Sequence, residues 1–148
     1  MARKQRPWLW GSITVLTVLL CTTALTLHYK NWVSLKEGSV RIISGFYVKQ
    51  LPYAAMDSVV FVPRLPPMQR LNGFSALAKE KGIFREFKDS LTNKQVYVFV
   101  DNIEQQKIKL VYRDSAQMYL NLKDSVQTVS LLNTLREKAG LMSPDQPK

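Results

Sequence analysis

The chain has 148 residues, with 21 lysines and arginines against 11 acidic residues and a net charge of +10. A single cysteine and a single histidine leave no intramolecular disulfide framework, no Cys/His metal cluster, and no Cys/His or Ser/His/Asp catalytic set. No glycine-rich phosphate loop is present either, so the sequence points away from an enzyme and implies no cofactor and no metal.

Residues 1–7 form a basic tail carrying Arg3, Lys4 and Arg6. Residues 9–27 then run without a charged side chain. At about 1.5 Å rise per residue, a helix of this length crosses the roughly 30 Å hydrocarbon core of a bilayer. Trp8 and Trp10 stand at one end and Tyr29 and Trp32 at the other, as interfacial aromatic anchors do. The expected transmembrane segment is therefore 8–32. Thr22-Thr23-Ala24 resembles a signal-peptidase site, but the apolar run exceeds the roughly 7–15 residues of a signal core. Leu20 before Cys21 does not suit a lipoprotein signal, and Cys21 reads as a packing residue within the membrane. For orientation, Arg3, Lys4 and Arg6 compete with Lys30, Lys36 and Arg41. The N-terminal charges lie closer to the helix, which favours the tail inside and the following domain outside the cell membrane.

Residues 33–139 suffice for one domain with its own core. Four basic residues flank the helix, leaving 17 basic against 11 acidic residues beyond them. These are interspersed, as on a solvated surface, though a positive excess also suits anionic lipid. Strand-like runs follow in order. Residues 40–43 and 46–51 flank Ser44-Gly45, a tight-hairpin signal. Residues 58–62 are β-branched and stop at Pro63, and the connection 63–67 is too rich in proline for a central strand. Residues 82–87 form another strand, ended by Asp89-Ser90. Three more, at 95–100, 107–112 and 116–122, alternate apolar and polar positions and are separated by Asp101-Asn102 and Arg113-Asp114-Ser115. They read as an antiparallel meander with Val96, Val98 and Val100 on one face and Tyr97 and Phe99 on the other. Asp124 caps a final helix, with Gln127 completing a capping-box-like pair. Val126, Val129, Leu131, Leu132 and Leu135 form its apolar stripe, and Gly140 ends it. Residues 140–148 read as a disordered tail.

The runs Gly45-Phe-Tyr-Val-Lys-Gln-Leu-Pro, Arg70-Leu-Asn-Gly-Phe-Ser75, Gly82-Ile-Phe84 and Val96-Tyr-Val-Phe-Val100 resemble bacterial pleckstrin-homology (PH)-like domains. In particular they resemble the small prokaryotic family with an Arg-x-Asn-Gly-Phe motif and membrane helices ahead of the domain. Residues 75–81 depart from that family, whose members carry more glycines there. The resemblance implies a mainly β fold: a bent, seven-stranded antiparallel barrel or sandwich with a C-terminal capping helix. It also implies a binding or assembly module. Fold alone does not name the ligand.

Lipid-binding domains of this fold gather lysine and arginine on a long loop between the first two strands. Here that connection is Ser44-Gly45 between Arg41 and Lys49, with no basic loop. Two sets of binding residues remain. Arg70, Asn72 and Phe74 read as a contact patch of cation, amide and aromatic; alternatively Asn72-Gly73 is a turn and Phe74 is core. Lys79, Lys81, Arg85 and Lys88 form the densest basic stretch, suited to anionic lipid or an acidic partner, or else to solvent beside Glu80 and Glu86. Tyr97, Phe99 and Tyr119 read as core aromatics, so no nucleic acid is expected as a partner. The expected partners are the bilayer and an unidentified protein of a membrane complex; the alternative is direct recognition of anionic lipid or another amphiphile.

Overall fold

The structure is a computed structural model that describes residues 7–87, 94–113 and 115–141. The expectations for the basic tail (save Pro7), for Lys88, Asp89, Ser90 and Asp114, and for residues 142–148 lie outside the described residues. The domain is mainly β, with an apolar helix before it and an amphipathic helix after it.

The helix α1, Pro7–Tyr29, is long and apolar enough to cross a membrane, and no part of its apolar window is buried against the domain. Its hydroxyls do not oppose that placement. Ser12, Thr14, Thr17, Thr22, Thr23 and Thr26 each donate to the carbonyl four residues back, at 2.7–3.0 Å. Satisfied internally, they carry little penalty in hydrocarbon.

Nine strands follow among the described residues, where the reading expects seven. β1 (Trp32–Leu35), β2 (Ser39–Ser44) and β3 (Tyr47–Pro52) form an antiparallel sheet in that order. Nothing in the sequence marks β1, because its four residues show no clean alternation and Trp32 falls within the expected membrane segment. The β2–β3 turn is Gly45-Phe46, one residue later than expected: Ser44 pairs with Tyr47. A 3-10 turn, Tyr53–Ala55, leads into β4 (Met56–Val62). β5 (Met68–Ala76), β6 (Lys79–Glu86), β7 (Val96–Val100), β8 (Lys107–Tyr112) and β9 (Ala116–Leu120) complete a second sheet, ordered β4-β8-β9-β7-β6-β5.

The last three strands are not the expected meander. β8 and β9 form a hairpin, but β9 inserts between β8 and β7 and runs parallel to β7. Face assignment survives, since alternation does not depend on which neighbour a strand pairs with. Tyr97, Phe99, Met118, Leu120, Ile108 and Leu110 point to the side covered by the small sheet and the final helix, α2 (Ser125–Lys138), where most of the core lies. Val96, Val98, Val100 and Tyr119 point the other way, under Val62, Leu65 and Met68. Both faces of the central strands of the six-stranded sheet are thus buried.

In α2, Asp124 caps as expected, its carboxylate accepting from the Val126 N–H at 2.9 Å. The buried stripe is rotated from the expected one: Thr128, Leu131, Leu132 and Leu135 face inward, while Val126 and Val129 are exposed. Thr128 decides this. Its hydroxyl accepts from the Leu122 N–H at 3.0 Å and donates to the Asp124 carbonyl at 2.9 Å, which pins the first turn to the end of β9.

Candidate functional site at the helix–domain junction

The last four carbonyls of any helix lack partners within it. At the end of α1 the domain supplies partners to three of them. The Gly45 N–H donates to the Leu27 carbonyl at 3.2 Å, the Lys81 ammonium to that of His28 at 3.3 Å, and the Lys79 ammonium to that of Tyr29. Two cations at a helix C-terminus also suit its dipole. Gly45 is required here twice: its φ is +59°, and a Cβ would meet the His28 ring at 2.8 Å. The His28 ring itself stands edge-on to Phe46 and Phe74, with centroids 4.8 and 5.7 Å away.

Behind this contact lies a buried polar network. The Lys81 ammonium is 2.7 Å from the Asp101 carboxylate, and both side chains are 1% exposed or less. The other Asp101 oxygen accepts from the Asn31 N–H at 2.6 Å. The Asn31 amide donates to the carbonyls of Phe99 and Asn121 and accepts from the Ser44 hydroxyl. Asn121 in turn accepts from the N–H groups of Asp101 and Asn102. Burial lowers the Lys81 pKa, and the hydrogen bond and charge of Asp101 oppose that. The two residues following α1 therefore belong to two different parts: Lys30 remains exposed, while Asn31 is built into the core, ahead of the expected domain start at 33.

The Arg-x-Asn-Gly-Phe segment is neither turn nor core. It lies in the middle of β5, and the turn comes later, at Leu77-Ala78. Gly73 pairs with Gly82 across the hairpin, with φ values of +144° and +152°. A Cβ at Gly73 would fall on the Lys81 carbonyl oxygen and within 2.7 Å of the Gly82 Cα, so the two strands meet backbone to backbone. Phe74 is 42% exposed.

Asn72, Phe74 and Lys81 share a cavity of about 370 Å³ with His28, Ser44, Phe46 and Tyr47. The other expected binding residues lie apart from it. Arg70 is exposed on β5 and acts electrostatically on Glu80, whose pKa burial raises. Arg85 donates to Gln69 at 2.7 Å. Lys79 covers Tyr29. The expected basic patch is thus not one surface: Lys79, Lys81 and Arg85 share the face of β6 that carries Ile83, but Lys81, opposite Phe99, is buried in its ion pair, while Lys79 turns to Tyr29 and Arg85 to Gln69. Parity does not set Lys81 apart from Lys79 and Arg85, and nothing local marks Asp101 or Asn31 as its neighbours. Of the expected membrane anchors, Trp8, Trp10 and Tyr29 are exposed on α1, while Trp32 is partly exposed at the start of β1.

On the opposite face, a cavity of about 400 Å³ lies between the 63–67 connection, Glu86, Phe87, Lys109 and Tyr119. Burial, with the Glu86 charge adding, pushes the Tyr119 phenol up to about 12. No group of three or more His, Cys, Asp or Glu side chains suited to a metal occurs among the described residues. Neither family models, nor curated proteins, nor solved structures give a match to this chain.

Proposed function

We propose that this is a single-pass protein of the cell membrane whose β domain binds a protein partner within a membrane complex. The observation that carries the reading is β5. It is a nine-residue strand at the sheet edge, exposed over most of its length, and it displays Arg70, Leu71, Asn72 and Phe74. An edge strand of this kind offers main-chain N–H and C=O groups to an extended segment of another chain, with side chains setting specificity. A bulge between Arg70 and Asn72 interrupts the regular ladder and gives the edge a local shape. The capped end of α1 supports the same reading. It holds the domain in one pose beside the bilayer, where tethering raises the effective concentration of weak contacts.

The mainly β domain closed by α2 supports a PH-like reading, and the parallel β7–β9 pair departs from a wholly antiparallel plan. The proposed orientation places the N-terminus in the cytoplasm and the domain outside, supported by Arg3, Lys4 and Arg6 standing close in sequence before the uncharged run. Direct lipid recognition by Lys79, Lys81, Arg85 and Lys88 has less support, because Lys81 is buried in its ion pair and Arg85 is engaged by Gln69.

A photoreactive benzoylphenylalanine at Ser75 of the full chain, irradiated in native membranes, tests the reading. It should give a discrete protein adduct that Leu71→Lys removes, since a lysine on an edge strand discourages strand addition. The same adduct from Val126, on the outer face of α2, would overturn the proposal. So would the absence of any adduct at Ser75. A reporter fused after Lys148 decides orientation: an external signal supports the proposed one and a cytoplasmic signal reverses it.

A further inference from the structure

The fold gathers three lysines from distant parts of the chain around the point where α1 ends. The Lys123 ammonium donates to the Tyr29 hydroxyl at 2.7 Å and lies 4.5 Å from the ring centroid. That of Lys79 lies 5.0 Å from the same ring, and that of Lys30 lies 4.2 Å from the Trp32 ring. The uncharged run closes at Leu27, so Tyr29 is about 3 Å further along the helix axis. Groups that touch Tyr29 therefore sit at headgroup depth when α1 spans a bilayer. Lys30, Trp32, Lys123 and Gln127 line one cleft of about 200 Å³ at this level. The one carboxylate lining it, Asp101, is committed to Lys81 and to the Asn31 N–H. Two ammonium groups and an amide thus border a small cleft whose own acid is already neutralised. Exposed Trp32 and Phe46 flank the same junction with apolar surface.

We propose that Lys30, Lys79 and Lys123 form a collar that binds the phosphate-bearing headgroup of an anionic phospholipid in the bilayer α1 spans, with the Lys30–Lys123 cleft as its seat. Ammonium groups donate charge-assisted hydrogen bonds to phosphodiester oxygens. The indole of Trp32 suits the boundary between headgroups and acyl chains. The collar is distinct from the β5 edge and does not involve Lys81 or Arg85. It rests on the membrane-spanning part of the proposed function, not on the protein partner.

The test uses the full chain in zwitterionic phosphatidylcholine nanodiscs containing a titrated fraction of phosphatidylglycerol, with retained lipid read by native mass spectrometry. At about 1 kcal/mol per lysine near an anionic surface, each lysine removed should weaken retention about fivefold. Lys30→Gln with Lys123→Gln should therefore lose roughly 25-fold. Lys36→Gln with Lys94→Gln removes the same charge at the ends of β1 and β7 that point away from the junction, and should retain phosphatidylglycerol as the unaltered chain does. Equal loss in both pairs, or no loss in the first, overturns the collar. Circular dichroism melts, unchanged in both pairs, show that the loss is not unfolding; a melt lowered only in the first pair, with lipid retention intact, counts against it. Alkaline carbonate extraction of the unaltered chain separates the two readings. Release from the membrane defeats the anchor and the collar together, whereas a retained chain without lysine-dependent lipid preference defeats the collar alone.

Discussion

Among the described residues two lysines of this domain are buried, and they are held in opposite ways. Lys81 meets the Asp101 carboxylate at 2.7 Å beneath the end of α1. Lys107, at the start of β8, is 1% exposed and donates to two carbonyls, that of Pro63 at 3.0 Å and that of Ile103. Burial lowers the pKa of both. For Lys107 the Arg64 charge adds to that effect, and Glu80 opposes it. The difference teaches which side of the domain is specified by polar chemistry. At the junction, an ion pair and its asparagines define one arrangement of helix end, sheet and loop. On the other side, a lysine ties the 63–67 connection and the 101–106 loop together through main-chain oxygens, and apolar packing does the rest.

The largest effect that follows is at Asp101. Asp101→Ala leaves the Lys81 ammonium buried without its counter-charge and should destabilise the domain by about 3–5 kcal/mol, measured by urea unfolding of the chain in detergent. Lys81→Met with Asp101→Leu should recover most of that, because the desolvation penalty disappears with the charges. A double variant as unstable as the single one would show that the pair's shape, not its charge, holds the junction.

Next comes the strand crossing that sets the position of Lys81. Gly73→Ala places a Cβ against the Lys81 carbonyl in a positive-φ conformation. A loss of about 2–4 kcal/mol is expected in the same measurement. A neutral result would mean that β5 shifts register freely, and would remove the fixed edge on which partner binding is proposed.

Lys107→Met should change stability by about 1 kcal/mol or less at neutral pH, since a flexible apolar chain replaces a buried cation held by main-chain carbonyls. Its signature is in the pH dependence. The folded state holds the Lys107 proton less tightly than the unfolded chain, so stability rises as pH climbs toward the ordinary value of 10.5, and the variant should lose that rise. A loss as large as that at Asp101 would erase the contrast between the two lysines.

The smallest effect concerns Tyr119 on the same face. Its folded pKa is raised from 10.0 to about 12, so the unfolded chain releases the phenolic proton first. The stability this provides is complete below pH 10 and is lost as pH rises from 10 to 12. Tyr119→Phe should flatten that decline in alkaline melts while leaving the neutral melt within a few degrees.

What was legible in the chain follows from periodicity and local chemistry. The uncharged helix, the faces of residues 96–100, the Asp124 cap and the hairpin near Gly45 all depend on neighbours within a few residues. The Arg-x-Asn-Gly-Phe segment shows where local signals mislead. Asn72-Gly73 has turn chemistry, yet Gly73 is there because another backbone, at Gly82, comes too close for a side chain. The stripe of α2 was legible as helical but not in its rotation, because a threonine hydroxyl bonded to Leu122 outweighed two exposed valines.

By itself, the sequence determined that an apolar helix precedes a mainly β domain with a capped helix at its end, because hydrophobic burial and backbone hydrogen bonding impose periods readable along the chain. Tertiary structure alone decided that β9 separates β7 from β8, that Asn31, Lys81 and Asp101 meet under the helix end, and that Lys79 and Lys123 meet at the Tyr29 ring beside Lys30. Those side-chain contacts join residues 20 to 94 positions apart. No short stretch of sequence encodes which partner a buried charge finds, since that depends on how the sheets close and which polar groups must then be satisfied away from water.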